Sequence, residues 1–256
     1  METEQEIIQK IKEKKEFSQI PDSVVLRVLS KDKNLDEKSR IKNVRAILRK
    51  FFTAFLTNKI LKGKLSDEEV LKKHISTKNR DYKELYKRIL KEEASVIDLG
   101  AGVNGFSYKY LGKREYVGVE GVGQLVKLMQ EYFNENKFNA QAVHADLFDT
   151  EKVLKIIKET KKPRIVFMFN IIDALEFLER DFSKEFILKI SEECERVVLS
   201  FPTQSLSGKT RFKARRYWIL NFIEEKFEIL DEFETGGERF VVFKRASARA
   251  EKIRDD

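Results

Sequence analysis

Val96-Ile97-Asp98-Leu99-Gly100-Ala101-Gly102 is a short apolar run that breaks into a glycine turn. Without Cβ atoms, Gly100 and Gly102 let the backbone bend sharply and approach a ligand at a distance that any side chain would block. The run lacks the full G-x-G-x-x-G spacing of a dinucleotide site, since Gly105 follows Gly102 by three while Gly100 stands inside Asp98-Leu99-Gly100. A βα turn with glycines that serve packing alone is the competing reading.

Outward from this turn, short β-branched runs alternate with amphipathic segments. Ser95 to Leu99, Tyr116 to Val119, Ala140 to His144, Arg164 to Phe169 and Arg196 to Ser200 read as strands, with helical periodicity over Gln124 to Glu135 and Glu151 to Thr160. Strict alternation predicts a parallel sheet covered by helices. Phe227 to Phe233, Thr235-Gly236-Gly237 and Arg239 to Lys244 then predict a closing hairpin. Five parallel strands followed by an antiparallel hairpin resemble the Rossmann-like methyltransferase architecture, so the fold class expected is α/β, a sheet of that kind with an α-helical N-terminal extension. Its boundaries are placed at residues 1–92 (basic helical), 93–246 (sheet domain) and 247–256 (charged tail), and the first of these is expected to dock RNA on the charge and the resemblance set out below.

Two carboxylates support a ligand site. Glu120 ends the second strand about 20 residues past the glycine turn, where a carboxylate accepts hydrogen bonds from ribose hydroxyls. Asp146 follows the third strand, where it can accept from an adenine amino group while Leu147 covers the ring. Each alone would pass for a solvated loop acid or a helix cap. The turn and both acids fall at the ends of successive strands, on one edge of a parallel sheet, where ligands bind in such folds.

The charge is unevenly placed. Residues 1–95 carry 24 Lys and Arg against 16 Asp and Glu, and residues 96–256 carry 27 of each, so the whole excess of +8 lies in the first part. Lys38 to Leu65 holds nine basic residues and no acidic one. Here Ile41, Val44, Leu48, Phe51, Phe52 and Phe55 recur at helical spacing as an apolar face, and Lys38, Lys42, Arg45 and Arg49 form a neighbouring stripe. A polyanion such as RNA is the expected partner of that stripe, against the plainer reading of a solvated helix flank. Pro21-Asp22-Ser23 and Ser66-Asp67-Glu68-Glu69 read as helix starts, the first capped by Asp22 or Ser23. Gly63 separates the helices.

Composition excludes several classes. No apolar stretch approaches about 20 residues and the N-terminus has no apolar h-region, so a soluble, cytoplasmic chain is expected. One cysteine, Cys194, and two histidines leave little for a zinc site, and Cys194 is read as a small buried hydrophobe. No metal is expected, and the chain is taken as a monomer.

Three segments resemble the aminoglycoside-resistance methyltransferases that modify guanine N7 in small-subunit ribosomal RNA. Lys73-His74-Ile75-Ser76-Thr77-Lys78-Asn79-Arg80 is similar to that family's H-A-S-T-[KR]-E-R, and Asp98 to Phe106 to its D-x-[AG]-C-G-x-N-P-[FL]. Ser200-Phe201-Pro202-Thr203-Gln204-Ser205-Leu206-Ser207-Gly208-Lys209 is similar to its S-F-P-[TI]-[KR]-S-L-[SG]-G-[KR] and is the most specific of the three. The resemblance extends from about Ile11 to Lys244.

It implies S-adenosylmethionine as cofactor and ribosomal RNA, within the small subunit, as partner. It also places His74, Ser76 and Arg80 against the methionine end of the cofactor, with the Arg80 guanidinium on the carboxylate. Asp98, Gly100, Gly102, Glu120, Asp146, Leu147 and Ile171 complete the cofactor set. Lys209, Arg211, Lys213, Arg215 and Arg216, in a stretch without an acid, are further RNA candidates. The chain departs from the family at Ala101 and Gly105, at Asn170 and Asp173 after the fourth strand, and at Gln204, where the family carries a basic residue.

Guanine N7 has an in-plane lone pair and needs no general base. Alignment and exclusion of water are then the enzyme's tasks. Phe106 and Phe201 are the candidates to receive the unstacked base, with core packing as the competing reading. An exocyclic amine or ribose hydroxyl as acceptor would instead bring Asn170 or Asp173 into play. A methyltransferase acting on another RNA or base position, a non-catalytic RNA-binding ribosome-assembly factor and a small-molecule methyltransferase are the alternatives. The intact cofactor residues speak against the assembly factor, and the basic N-terminal part against the small molecule.

Overall fold

The computed structural model describes residues 3–32, 34–53, 65–74, 77–203 and 216–246. The N-terminal part is helical: α1 (Glu4–Lys12), α2 (Asp22–Leu29), α3 (Glu37–Leu48) continued by one π turn (Arg49–Thr53), α4 (Asp67–Lys73) and α5 (Tyr82–Ile89). Local chemistry explains the starts. Thr3 with Glu6 and Ser66 with Glu69 form capping boxes that satisfy the first free N–H groups of α1 and α4. Asp36 and Asp81 cap α3 and α5 by accepting from Ser39 and Glu84. At α2 the expected side-chain cap is absent: Pro21 holds the N-cap position, and Asp22 and Ser23 fall inside the helix. Both side chains are engaged elsewhere, Asp22 with Lys12 and Ser23 with Asp146.

The second part alternates: β1 (Ser95–Leu99), a 3₁₀ turn (Asn104–Tyr110), β2 (Tyr116–Glu120), α6 (Gly123–Glu135), β3 (Ala140–His144), α7 (Thr150–Glu159), β4 (Arg164–Phe169), α8 (Ile172–Leu178), α9 (Phe182–Ser191), β5 (Arg196–Pro202), α10 (Tyr217–Lys226), β6 (Phe227–Thr235) and β7 (Glu238–Arg245). They form one seven-stranded sheet in the order β3-β2-β1-β4-β5-β7-β6. β1 to β5 run parallel, and the hairpin inserts antiparallel with β7 against β5 and β6 outside. Every residue of β1, β2 and β4 is buried, as a parallel sheet covered on both faces requires, whereas β3 and β6 at the edges are largely open.

Period-2 alternation divides the sheet between two cores. Val96, Tyr116, Phe167, Val198 and Val242 join one with α1, α2, α3, α5 and α6. Ile97, Val117, Val166, Val197 and Val241 join the other with α7 to α10. The helical N-terminal part thus shares a continuous apolar core with one sheet face.

The basic stripe on α3 divides into two kinds of residue. Lys38 and Lys42 are exposed. Arg45 is half-buried and donates to the carbonyls of Lys10, at 2.5 Å, and Ile11, at 3.4 Å, while Arg49 pairs with Glu16 and lies over the Phe17 ring. Arg45 therefore ties α3 to the C-terminal end of α1, a correction to its place in the stripe as read from spacing, while Arg49 stays exposed and pairs with Glu16 in the segment after α1. The reason is tertiary: the orphan carbonyls at the end of α1 meet a guanidinium that periodicity alone placed at the surface. Arg45→Ala should cost about 1–3 kcal/mol in urea unfolding through lost charge-assisted bonds. Lys42→Ala should stay within about 0.5 kcal/mol of wild type.

Candidate cofactor site

The C-terminal ends of β1, β2, β3 and β4 lie on one edge, and the strand order reverses between β1 and β4. Gly100 has φ +72° and Gly102 φ +54°, the left-handed region that favours glycine. A Cβ at Gly100 would stand 2.5 Å from Ile171 Cγ2, so that glycine is what lets the β4–α8 loop close onto the turn. Glu120 clamps the same turn: one carboxylate oxygen accepts from Gly102 N at 2.8 Å, the other from Val122 N at 2.9 Å. Burial pushes the Glu120 carboxyl up from its ordinary value, opposed by these backbone donors.

Asp98, at the end of β1, is 1% exposed. Its Oδ2 accepts from Asn104 Nδ2 at 2.6 Å and from Tyr116 OH at 2.8 Å. Its Oδ1 is buried and has no hydrogen-bond partner among the described residues. Burial raises this carboxyl too, against the two donors and the charge of Arg80. An orphaned carboxylate oxygen at this edge is a ready acceptor for a cationic group.

Arg80 is differently employed from the role the resemblance implies. Its side chain is 3% exposed and pairs with Glu238 through two parallel bonds of 2.8 Å, from Nε and Nη2. Its Nη1 donates to Asn104 Oδ1 at 3.1 Å, and its carbon centre lies 5.0 Å from the Phe169 ring centroid. Ser200 Oγ donates to the second Glu238 oxygen at 3.0 Å. The paired donors expected for a methionine carboxylate thus hold a carboxylate of the chain itself. His74 is buried, and burial followed by the charge of Arg80 pushes its pKa down to about 3, so it is neutral at ordinary pH.

Asp146 is half-buried; it accepts from Ser23 Oγ at 2.6 Å and from Phe148 N at 3.0 Å. Leu147 beside it is half-buried as well. Phe106 and Phe201 do not offer open rings. Phe106 is 7% exposed, in a 3₁₀ turn with its ring 5.1 Å from that of Tyr132, and Phe201 is 3% exposed because β5 runs on through it to Pro202. Both are core residues here, a correction to their expected role of receiving a base. Arg216 is likewise committed, with bonds of 2.9 and 2.6 Å to Asp173 and one of 3.1 Å to the Pro202 carbonyl. Ser76, Lys209, Arg211, Lys213 and Arg215 lie outside the described residues, as do Phe55 and Gly63.

Glu238 carries no signal in the sequence, and Asn104 and Ser200 stand within the quoted motifs without an assigned role. The three complete the polar network around Arg80 and Asp98. The N-terminal part also reaches the ligand edge. Phe52 faces Gly121, where an added Cβ would meet its Cε1 at 3.6 Å; Ser23 binds Asp146; Arg27 pairs with Glu179 and lies 4.1 Å from the Phe148 ring. The sequence placed Phe52 on an apolar helix face and Ser23 at a helix start, and neither reading anticipates these contacts. Among the described residues no group of three or more His, Cys, Asp or Glu is placed to hold a metal, and no helix is long and apolar enough to cross a membrane.

The sheet order and its antiparallel seventh strand define the Rossmann-like methyltransferase fold, and solved structures of that fold superpose on nearly the whole chain. The 16S rRNA methyltransferase RmtF in complex with S-adenosyl-L-homocysteine matches with a TM-score of 0.79 at 19% identity, over 96% of this chain and 99% of its own. The 16S rRNA methylase RmtB matches at 0.77 and 18% identity, over 95% and 99%. An rRNA methylase from Escherichia coli matches at 0.77 and 19%, over 95% and 100%. No family model matches the sequence, and no curated protein matches it.

Removing Arg80 would leave Glu238 buried and unpaired. Arg80→Ala should therefore destabilise the ligand-free protein by about 3–5 kcal/mol in urea unfolding, and Arg80→Met with Glu238→Leu should recover most of it. A residue that served only a cofactor would leave the ligand-free midpoint where it was.

Proposed function

We propose that the protein is an S-adenosylmethionine-dependent methyltransferase that acts on ribosomal RNA of the small subunit, with guanine N7 as the acceptor. The observation that carries the cofactor assignment is the buried Asp98 Oδ1, without a partner among the described residues, beside a glycine turn clamped by Glu120 on the ligand edge of a methyltransferase-type sheet. The methionine ammonium fits Asp98 by charge. Ribose hydroxyls fit the remaining lone pairs of Glu120, and Asp146 with Leu147 suits the adenine. Ile171, closing over Gly100, would cover the sugar. His74, neutral and buried, supplies shape and a hydrogen-bonding nitrogen without a charge to repel the sulfonium.

S-adenosylmethionine supplies the methyl as an electrophile. The chain's part is to align and to exclude water, because N7 attacks through an existing lone pair and no proton has to be removed. Docking falls to the exposed Lys38 and Lys42 on α3, with the 209–215 segment as a second basic contribution. RNA as the substrate class is favoured by the basic N-terminal part and by the whole-chain similarity to the three rRNA-modifying enzymes.

One observation favours a second acceptor. Asn170, where the resembling family carries lysine, sits at φ +57° with its Oδ1 buried and no partner among the described residues. A carbonyl oxygen there would accept from an exocyclic amine, whose proton must be relieved during transfer. The two acceptors separate chemically. Small subunits treated with protein and labelled cofactor will undergo aniline scission at the modified base after borohydride reduction if N7 is methylated, and will not if an exocyclic amine is.

In titration calorimetry the protein should bind both S-adenosylmethionine and S-adenosylhomocysteine, and Glu120→Ala should weaken both by about 1–3 kcal/mol. Wild-type affinity in that variant would remove Glu120 from the site. Asp98→Asn has a two-sided expectation. The Asp98 carboxyl is raised above its ordinary 3.8, so its contribution is fullest below that pH and is lost as pH rises through the raised value. At neutral pH the ligand-free variant should therefore gain stability relative to wild type, and the gain should vanish near pH 3. Cofactor affinity should fall at the same time.

A further inference from the structure

With Phe106 and Phe201 buried, a different pair of rings stands open at the ligand edge. α3 runs directly into a π turn, Arg49–Thr53, a distortion that recurs at functional sites. The turn aims Phe52 at Gly121, just past Glu120, and brings Phe51 to Phe177 on α8, with ring centroids 4.9 Å apart and planes 36° from parallel. Phe177 is 43% exposed, high for a phenylalanine in a helix that packs on the sheet, and Phe51 is half-buried.

Two cations border the pair. Lys50 Nζ lies 4.8 Å from the Phe51 centroid and 5.5 Å from that of Phe177, and Lys31 Nζ lies 5.8 Å from Phe177. Both lysines are exposed, and neither forms an ion pair among the described residues. Both ammonium groups lie over the rings at cation–π distance, and the surface left open to a ligand is the exposed part of Phe177. A tilted aromatic pair edged by two unneutralised cations matches a ligand with a flat π face and an adjoining negative charge, which describes a nucleotide in a single strand. An apolar protein surface would gain nothing from the lysines.

We propose that Phe51 and Phe177, edged by Lys31 and Lys50, form a stacking platform for an unpaired nucleobase of the RNA strand that carries the acceptor. The inference rests on the RNA-directed reading above and adds a site to it. The platform joins the helical N-terminal part to α8, the helix that follows β4, and Phe52 beside it faces Gly121 after β2, so RNA held there would lie near the edge that carries the cofactor residues.

The test uses the full chain and a single-stranded RNA of about ten nucleotides containing one 2-aminopurine, whose fluorescence is quenched on stacking. Wild-type protein should quench it. Phe177→Ala should abolish quenching and weaken binding roughly 5- to 150-fold, and Phe177→Trp should restore both. Lys31→Gln with Lys50→Gln should keep quenching at saturation but flatten the logarithmic salt slope by about 0.7 for each cation. S-adenosylmethionine affinity should be unchanged in all of these variants. Failure of the wild type to bind the cofactor would sink the methyltransferase reading and leave the stacking result standing. An unquenched probe with wild type, or unaltered affinity in Phe177→Ala, would overturn the platform. So would sedimentation showing a wild-type dimer that Phe177→Ala dissolves, which would assign the rings to a second copy of the chain.

Discussion

The buried pair of Arg80 and Glu238 joins positions that are distant in the chain and fixes the parts of the site relative to one another. A pair so desolvated is stable only when its geometry is good and its remaining polar atoms are satisfied. Here Ser200 supplies a donor to Glu238, Asn104 an acceptor to Arg80, and Phe169 a ring face beneath the guanidinium. The segment before α5, the turn after β1, the end of β5 and the start of β7 are thereby held together. The hairpin tip closes on the same segment: a Cβ at Gly236 would stand 2.5 Å from the Asn79 carbonyl, and φ there is +59°. Electrostatics and backbone shape thus agree on how the last strand meets the N-terminal part.

That anchoring has a consequence at Asp98. Asn104 serves both residues, giving its amide oxygen to Arg80 and its amide N–H to Asp98, so the carboxylate is oriented through the ion pair. Tyr116 completes the support from β2, and one carboxylate oxygen is left bare. A buried, unpaired carboxylate oxygen costs free energy in the ligand-free protein and gains interaction when a cation arrives. Glu120 shows the complementary strategy. It is buried like Asp98, but each of its two oxygens already accepts one bond from the backbone of the turn that they shape.

The helical N-terminal part is more than an attachment. Its apolar residues join the core on one sheet face, and its polar and aromatic ones reach the ends of three strands: Phe52 over Gly121 after β2, Ser23 on Asp146 after β3, and Phe51 against Phe177 after β4. These contacts bring the N-terminal helices beside the strand ends that carry Glu120 and Asp146.

The sequence by itself determined the elements and their kind. Strand boundaries read from β-branched runs agree with the structure within a few residues, because a strand buried on both faces must be apolar along its length and β1, β2 and β4 are. The glycine turn and the positions of Glu120 and Asp146 were legible for a related reason: a parallel βα sheet puts every strand end on one edge, so order along the chain becomes proximity in space. Tertiary structure alone decided how side chains are spent. Arg80 reads as a free guanidinium until Glu238 is brought to it from 158 residues away. Arg45 reads as a surface cation until the end of α1 meets it, and Phe106 and Phe201 read as loop residues until a 3₁₀ turn and an extended β5 bury them. Periodicity reports which face of an element is apolar. It cannot report which polar group from elsewhere will occupy the other face, because that depends on long-range packing which leaves no local pattern.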